Sequence, residues 1–123
     1  RAVNARAAAA SALACAALLG ACGERSPASP ATGNPERGRL ALSQYGCQAC
    51  HTIPGVTGPR VFVGPPLEGL GQRKFIAGSL PTTHDNLGRW IVNPQQVDPL
   101  TAMLALDVAP RDAADMAAYL LKH

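Results

Sequence analysis

The sequence predicts an all-α fold with three main helices joined by long loops, and three observations lead there. Apolar residues recur at helical spacing in three separate segments, 35–45, 82–93 and 110–122. No alternating apolar stretch is long enough for a sheet, and no internal repeat is present. The connector "HTIPGVTGPRVFVGPPLEGLGQRKF" carries so many glycines and prolines that it reads as an ordered loop wrapped on something. What it wraps on is not supplied by the chain. Tyr45, Phe62, Phe75, Trp90 and Tyr119 are the only aromatic residues, and so small a domain often needs a staple beyond its own hydrophobic contacts.

The first helix is bounded by Pro35 and Glu36 at its start and Gly46 at its end, with Leu40, Ala41 and Tyr45 at helical spacing. In "LPTTHDNLGRWIVNP", Thr82 with Asp85 three positions on forms a start signal. Leu87, Trp90 and Ile91 then follow at i, i+3 and i+4, and Pro94 is the stop. His84 reads there as a solvent-exposed neighbour of the cap. The last helix starts at Pro110 and repeats apolar residues at Ala113, Met116, Ala117, Leu120 and Leu121, where Met116 is a core gap-filler. His123 reads as a frayed terminus.

Ahead of these elements, Arg1 and Arg6 precede a run from Ala7 to Leu19 that is apolar apart from Ser11, the order of an export signal. The run falls short of the roughly 20 residues that span a bilayer core. Leu19-Gly20-Ala21-Cys22 resembles a bacterial lipobox, which makes 1–21 a signal segment and Cys22 the site of lipid attachment. An ordinary secretory signal, with Cys22 as a stray thiol, is the plainer alternative. Residues 22–35, rich in Pro, Ser, Gly and Ala, read as a flexible tether, so the folded domain occupies 36–123. The expected location is the periplasmic side of a bacterial membrane.

Removing Arg1 and Arg6 from the 11 basic residues leaves nine against 8 acidic ones, so most of the basic character belongs to the signal. No basic run interleaved with aromatics remains, which argues against nucleic acid and for protein partners. Cys15 lies inside the signal and Cys22 is assigned to lipid, leaving Cys47 and Cys50 with only each other.

Four readings compete for Cys47-Gln48-Ala49-Cys50-His51. A redox dithiol calls for a strand-to-helix junction in a βαβ unit, and no such strands are visible. A structural zinc site calls for four ligands, while His84 and His123 stand alone and far apart. A chance pair of thiols in a loop is the third. A c-type haem needs only these residues and one further ligand: thiols at i and i+3 share one face of a helical turn, and His51 follows directly. A haem also supplies the large flat apolar body that the loops lack.

With the pentapeptide, helices and loops together, the region from about Glu36 to Lys122 resembles a class I cytochrome c. "GPPLEGLGQRK" looks like the family's Gly-Pro-x-Leu loop with its basic pair. "NPQQVDPLTAM" looks like its ligand loop and "AAYLLK" like its closing helix. "AGSLPTTHDNLGRWIVNPQQVDP" is similar, more narrowly, to the cytochrome c domain fused to subunit II of caa3-type oxidases. The resemblance implies the cytochrome c fold around one covalent haem. Cys47 and Cys50 would be the thioether positions, His51 the proximal ligand and Met103 the distal one. It implies that the Pro65 carbonyl accepts from the other ring nitrogen of His51, and that Arg73 and Trp90 lie near a propionate or the haem edge. It also implies that Gly38 lets the first helix approach the last closely, near Tyr119. The family usually follows this methionine with proline, whereas Leu104 follows here, and a looser loop with a weaker iron–sulfur bond is expected.

The function implied is one-electron transfer, without bond chemistry on a substrate, by a monomer or a subunit of a complex. The donor would be a quinol-oxidising complex or a dehydrogenase, and the acceptor a terminal oxidase. Arg60, Arg73, Lys74 and Arg89 would rim the haem edge and steer partners only modestly, given the near-neutral charge. Two rivals stay open: a haem sensor or peroxidase-like protein in which Met103 does not hold the iron, and a haem subunit fixed in an oxidase or dehydrogenase complex.

Overall fold

The computed structural model describes residues 32–123. The expected signal segment, Cys22 and most of the expected tether lie outside the described residues. Among the described residues four helices and one short hairpin follow in order: α1 (Pro35–Gln44), β1 (Phe75–Ile76), β2 (Leu80–Pro81), α2 (His84–Val92), α3 (Pro94–Val97) and α4 (Pro110–Leu120). Two turns of 3-10 helix lie between α1 and β1, at Cys47–Ala49 and Leu70–Gln72. No helix among the described residues is long and apolar enough to cross a membrane.

Local chemistry explains where α1 begins and ends. Asn34 caps it by accepting from the Arg37 N–H, Pro35 occupies the first helical position, and Gly46 turns the chain out with a φ of 74°. The buried face is Gly38, Ala41 and Leu42, with Tyr45 partly buried below them. Leu40, expected on that face, is instead exposed, because a stripe that starts from Gly38 continues at 41, 42 and 45.

α1 crosses α4 at Gly38. A Cβ there would overlap the main-chain carbonyl of Asp115, so only glycine permits this approach. The close approach is therefore at Asp115 and Met116, about one turn before the Tyr119 position implied by the family resemblance. Gly33, with a φ of 73°, lies equally close to the carbonyl of Ala114. Residues 33–35 of the expected tether thus pack on α4 and belong to the fold.

At this crossing Asp115, only 1% exposed, receives Arg37 through Nε at 2.7 Å and Nη2 at 2.9 Å, and the Asn34 N–H at 2.5 Å. A carboxylate buried in an apolar face is costly unless paired and hydrogen-bonded, and the guanidinium fork supplies both. The bond to Asp115 pushes the Arg37 pKa up. Tyr45 Oη adds a second tie by donating to Asp112 at 2.9 Å.

α2 also packs on α4 and buries Leu87 and Ile91 in the shared core. Its cap is Thr83, which accepts from the Asn86 N–H, one residue later than the Thr82 signal suggested. The Thr82 hydroxyl is buried and makes no hydrogen bond. His84 is not a free cap neighbour: its Nε2 donates to the Ala114 carbonyl at 2.9 Å and joins α2 to α4. His123 is not frayed, since its carbonyl accepts from the Gly69 N–H at 2.9 Å and its ring lies 4.4 Å from that of Tyr119. The β1–β2 hairpin was not expected. Its pairing is only two residues long, turned by Ala77 and Gly78 in left-handed conformations.

Gly38→Ala is expected to force the helices apart and cost about 1–3 kcal/mol, the usual range for overpacking. Gly88→Ala, on α2 with nothing within 4 Å of the new Cβ, is expected to gain about 0.5–1 kcal/mol. Thermal unfolding followed by circular dichroism compares the two.

Candidate cofactor site

Because Gly46 ends α1 in a left-handed turn, the next residues wind into a 3-10 turn instead of continuing the helix. The Cys47 carbonyl accepts from both the Cys50 N–H at 3.2 Å and the His51 N–H at 3.0 Å. That double bond to one oxygen folds the two cysteines and the histidine into a single turn. Both thiols are free, Cys47 half-buried and Cys50 exposed. Burial pushes the Cys47 thiol pKa up, which keeps it protonated at neutral pH.

The glycine- and proline-rich loop closes over this turn. The Gly64 N–H donates to the Cys50 carbonyl at 2.8 Å, and the Leu67 N–H to the Thr52 carbonyl at 2.9 Å. Between these bonds His51 Nδ1 lies 2.8 Å from the Pro65 carbonyl oxygen, the partner implied by the family resemblance. A carbonyl only accepts, so Nδ1 carries the proton, and the lone pair of the neutral ring is left on Nε2. Gly64 is required for this approach, because a Cβ there would run into the imidazole. Arg73 completes the loop by donating from Nη2 to the Pro66 carbonyl at 2.7 Å and the Glu68 carbonyl at 3.0 Å. This is a backbone role that the basic pair in the sequence did not signal.

Met103 lies on a separate loop, half-buried, after α3. Its N–H donates to Thr101 Oγ1 at 3.2 Å, and its carbonyl accepts from Gln95 Nε2 at 2.6 Å. Trp90 is half-buried against the hydrophobic core from α2. Cys47, Cys50, His51 and Pro65 thus come together as one unit with Arg73 behind their loop, while Met103 is held independently from α3.

The surroundings fit an apolar group. Phe62 is 91% exposed and Leu100 93%, and Val63, Leu104 and Leu106 are exposed as well. Single exposed apolar residues are ordinary. These, however, flank Gly64-Pro65 on one loop and Met103 on the other. Among the described residues no three His, Cys, Asp or Glu side chains are grouped to hold a metal ion. The two thiols and the His51 Nε2 lone pair are of the residue types that would hold a porphyrin covalently and ligate its metal. A cleft of about 420 Å³ between α2 and α4 lies elsewhere, and the imidazole in it, His84, is already bonded to Ala114.

The chain also has a relative among known proteins. Over 85 residues the chain is 34% identical to cytochrome c oxidase subunit 2 of Alkalihalophilus pseudofirmus. The match takes in 68% of this chain and spans about a quarter of that subunit's length, 24%. It is a distant relation to part of an oxidase subunit. No protein-family model matches the chain.

Gly64→Ala is expected to push the His51 ring off Pro65. In proton NMR, the wild-type chain should show a downfield, slowly exchanging Nδ1–H signal that this variant loses.

Proposed function

We propose that the chain is a membrane-tethered, mono-haem c-type cytochrome that passes single electrons in a respiratory chain, toward a terminal oxidase. The observation that carries this reading is the 2.8 Å approach of His51 Nδ1 to Pro65, which leaves Nε2 as the lone-pair nitrogen beside two free thiols. An outer hydrogen bond of this kind orients a metal-bound imidazole and raises its basicity. The relation to an oxidase subunit supports the respiratory setting.

On this reading Cys47 and Cys50 would hold the haem covalently, and His51 and Met103 would be its iron ligands, the thioether favouring ferrous iron. The haem supplies reversible one-electron exchange at its iron. The chain supplies orientation through Pro65 and Gly64, a fixed loop through Arg73, and apolar cover from residues such as Phe62 and Leu104, which lowers the local dielectric. A lipid on Cys22 would keep the domain at the membrane.

A native mass spectrum is expected to show one haem and one diacylglycerol, and a Cys47→Ser, Cys50→Ser double variant should carry no covalent haem. The oxidised protein should show the near-infrared sulfur-to-iron charge-transfer band. Absence of that band, with ready carbon monoxide binding to the reduced form, would instead establish the sensor or peroxidase-like alternative. Co-purification with an oxidase or dehydrogenase would mark a fixed subunit. Electron-transfer rates are expected to fall only slightly with ionic strength, and a steep fall would contradict weak steering.

A further inference from the structure

Met103 is unbranched with three rotatable bonds, so its sulfur is placed only as firmly as its backbone is held. In this chain Leu104 follows it, and no proline ring restricts the backbone there. Neither polar group of the Met103 backbone pairs within a helix or strand. Both are bonded to side chains instead: the N–H to Thr101 Oγ1 and the carbonyl to Gln95 Nε2, the latter at 2.6 Å.

The donor on the carbonyl side stands on a firm base. α3 starts at the buried Pro94 directly after α2, and Asn93 caps it by accepting from the Gln96 N–H at 3.1 Å. The loop between α3 and Met103 is built by the same kind of bond, with the Leu100 N–H on Asp98 Oδ1 at 3.0 Å and the Thr101 N–H on the Asp98 carbonyl at 3.1 Å. Gln95 reaches across this loop from its stem to its tip.

We propose that Gln95 is a positioning residue for the distal ligand: its amide clamps the Met103 carbonyl and so restrains a loop that has no proline after the methionine. The proposal rests on the haem reading above. Gln95 touches neither the iron nor an electron partner, and acts only through Met103. Without its N–H, the loop tip loses its tie to α3 and the thioether yields more readily to a competing ligand.

The test uses the full chain with its covalent haem and imidazole as the competing ligand of the ferric iron. The readouts are the near-infrared band and the imidazole dissociation constant. Gln95→Leu removes the donor and is expected to tighten imidazole binding about tenfold, the effect of a modest loss of competing ligation. The band should also fade on heating well below global unfolding. Gln95→Glu, nearly isosteric and without the donor, gives the same readout should Gln95→Leu fail to accumulate. Gln95→Arg, which keeps N–H donors, should bind imidazole nearly as weakly as the wild type. Met116→Ala, which destabilises the core away from the loop, separates ligand positioning from general stability and should leave imidazole binding unchanged.

Unchanged imidazole binding in the Leu or Glu variant, or an equal tightening in Met116→Ala, overturns the role of Gln95 while leaving the haem reading intact. A wild-type protein that carries haem but shows no charge-transfer band overturns Met103 ligation itself, and this proposal with it.

Discussion

The close crossing of α1 and α4 is the constraint on which the rest of the structure depends. Gly38 admits the Asp115 carbonyl where any side chain would overlap it, and the Asp115 carboxylate, almost wholly buried, is answered by Arg37 and the Asn34 N–H from the opposite helix. Removing one partner of such a group leaves charge without compensation, so a shifted register of the two helices is disfavoured. Because α1 runs directly into the Cys47–Ala49 turn, that register also sets where the thiols begin. α2 is then pinned to the same helix by Leu87, Ile91 and the His84–Ala114 bond.

The loops are held by a different chemistry. Few of their residues enter the buried core, and beside main-chain bonds such as Gly64 to Cys50 their order comes from side chains bonded to main-chain carbonyls: His51 to Pro65, Arg73 to Pro66 and Glu68, and Gln95 to Met103. Tyr119 Oη does the same from α4, donating to the Pro54 carbonyl at 2.7 Å over the left-handed Gly55. Each such bond is worth little alone, about 0.5–1.5 kcal/mol net. Together they define the loop paths while leaving apolar side chains such as Phe62 and Leu104 uncovered.

Much of this was legible in the sequence, and the reasons are local. Pro35, Gly46 and Pro110 are punctuation that acts within one turn, and the i, i+3, i+4 apolar spacing places Leu87 and Ile91 without reference to anything distant. The cysteine turn is equally local. The Pro65 partner of His51 came instead through the family resemblance, since the two stand 14 positions apart and spacing alone does not join them. What stayed hidden was long-range and polar. Asp115 looks like an ordinary helix-surface residue until Arg37, 78 positions away, is seen to answer it, and Leu40 was misplaced because the true stripe runs from a glycine. Gln95 gave no signal, because its partner is a main-chain carbonyl and a carbonyl has no sequence signature. The two-residue hairpin is too short for periodicity to detect.

The two kinds of restraint imply a division of labour in dynamics. A helix pair locked by close backbone contact and a buried carboxylate opens only when the core opens, whereas a loop held by single side-chain bonds opens locally at much lower cost. His51 is bound to the first system on one side, since its N–H is bonded to Cys47 within the turn that leaves α1, and to the second on the other through Pro65. Met103 belongs wholly to the second. The two sides therefore differ in kind: His51 is anchored by the fold, and Met103 by single bonds to Thr101 in its own loop and to Gln95 on α3. The 98–107 loop can open locally without unfolding the helices, so how firmly Met103 is placed is a question of loop energetics that rests on Thr101 and Gln95 more than on the core.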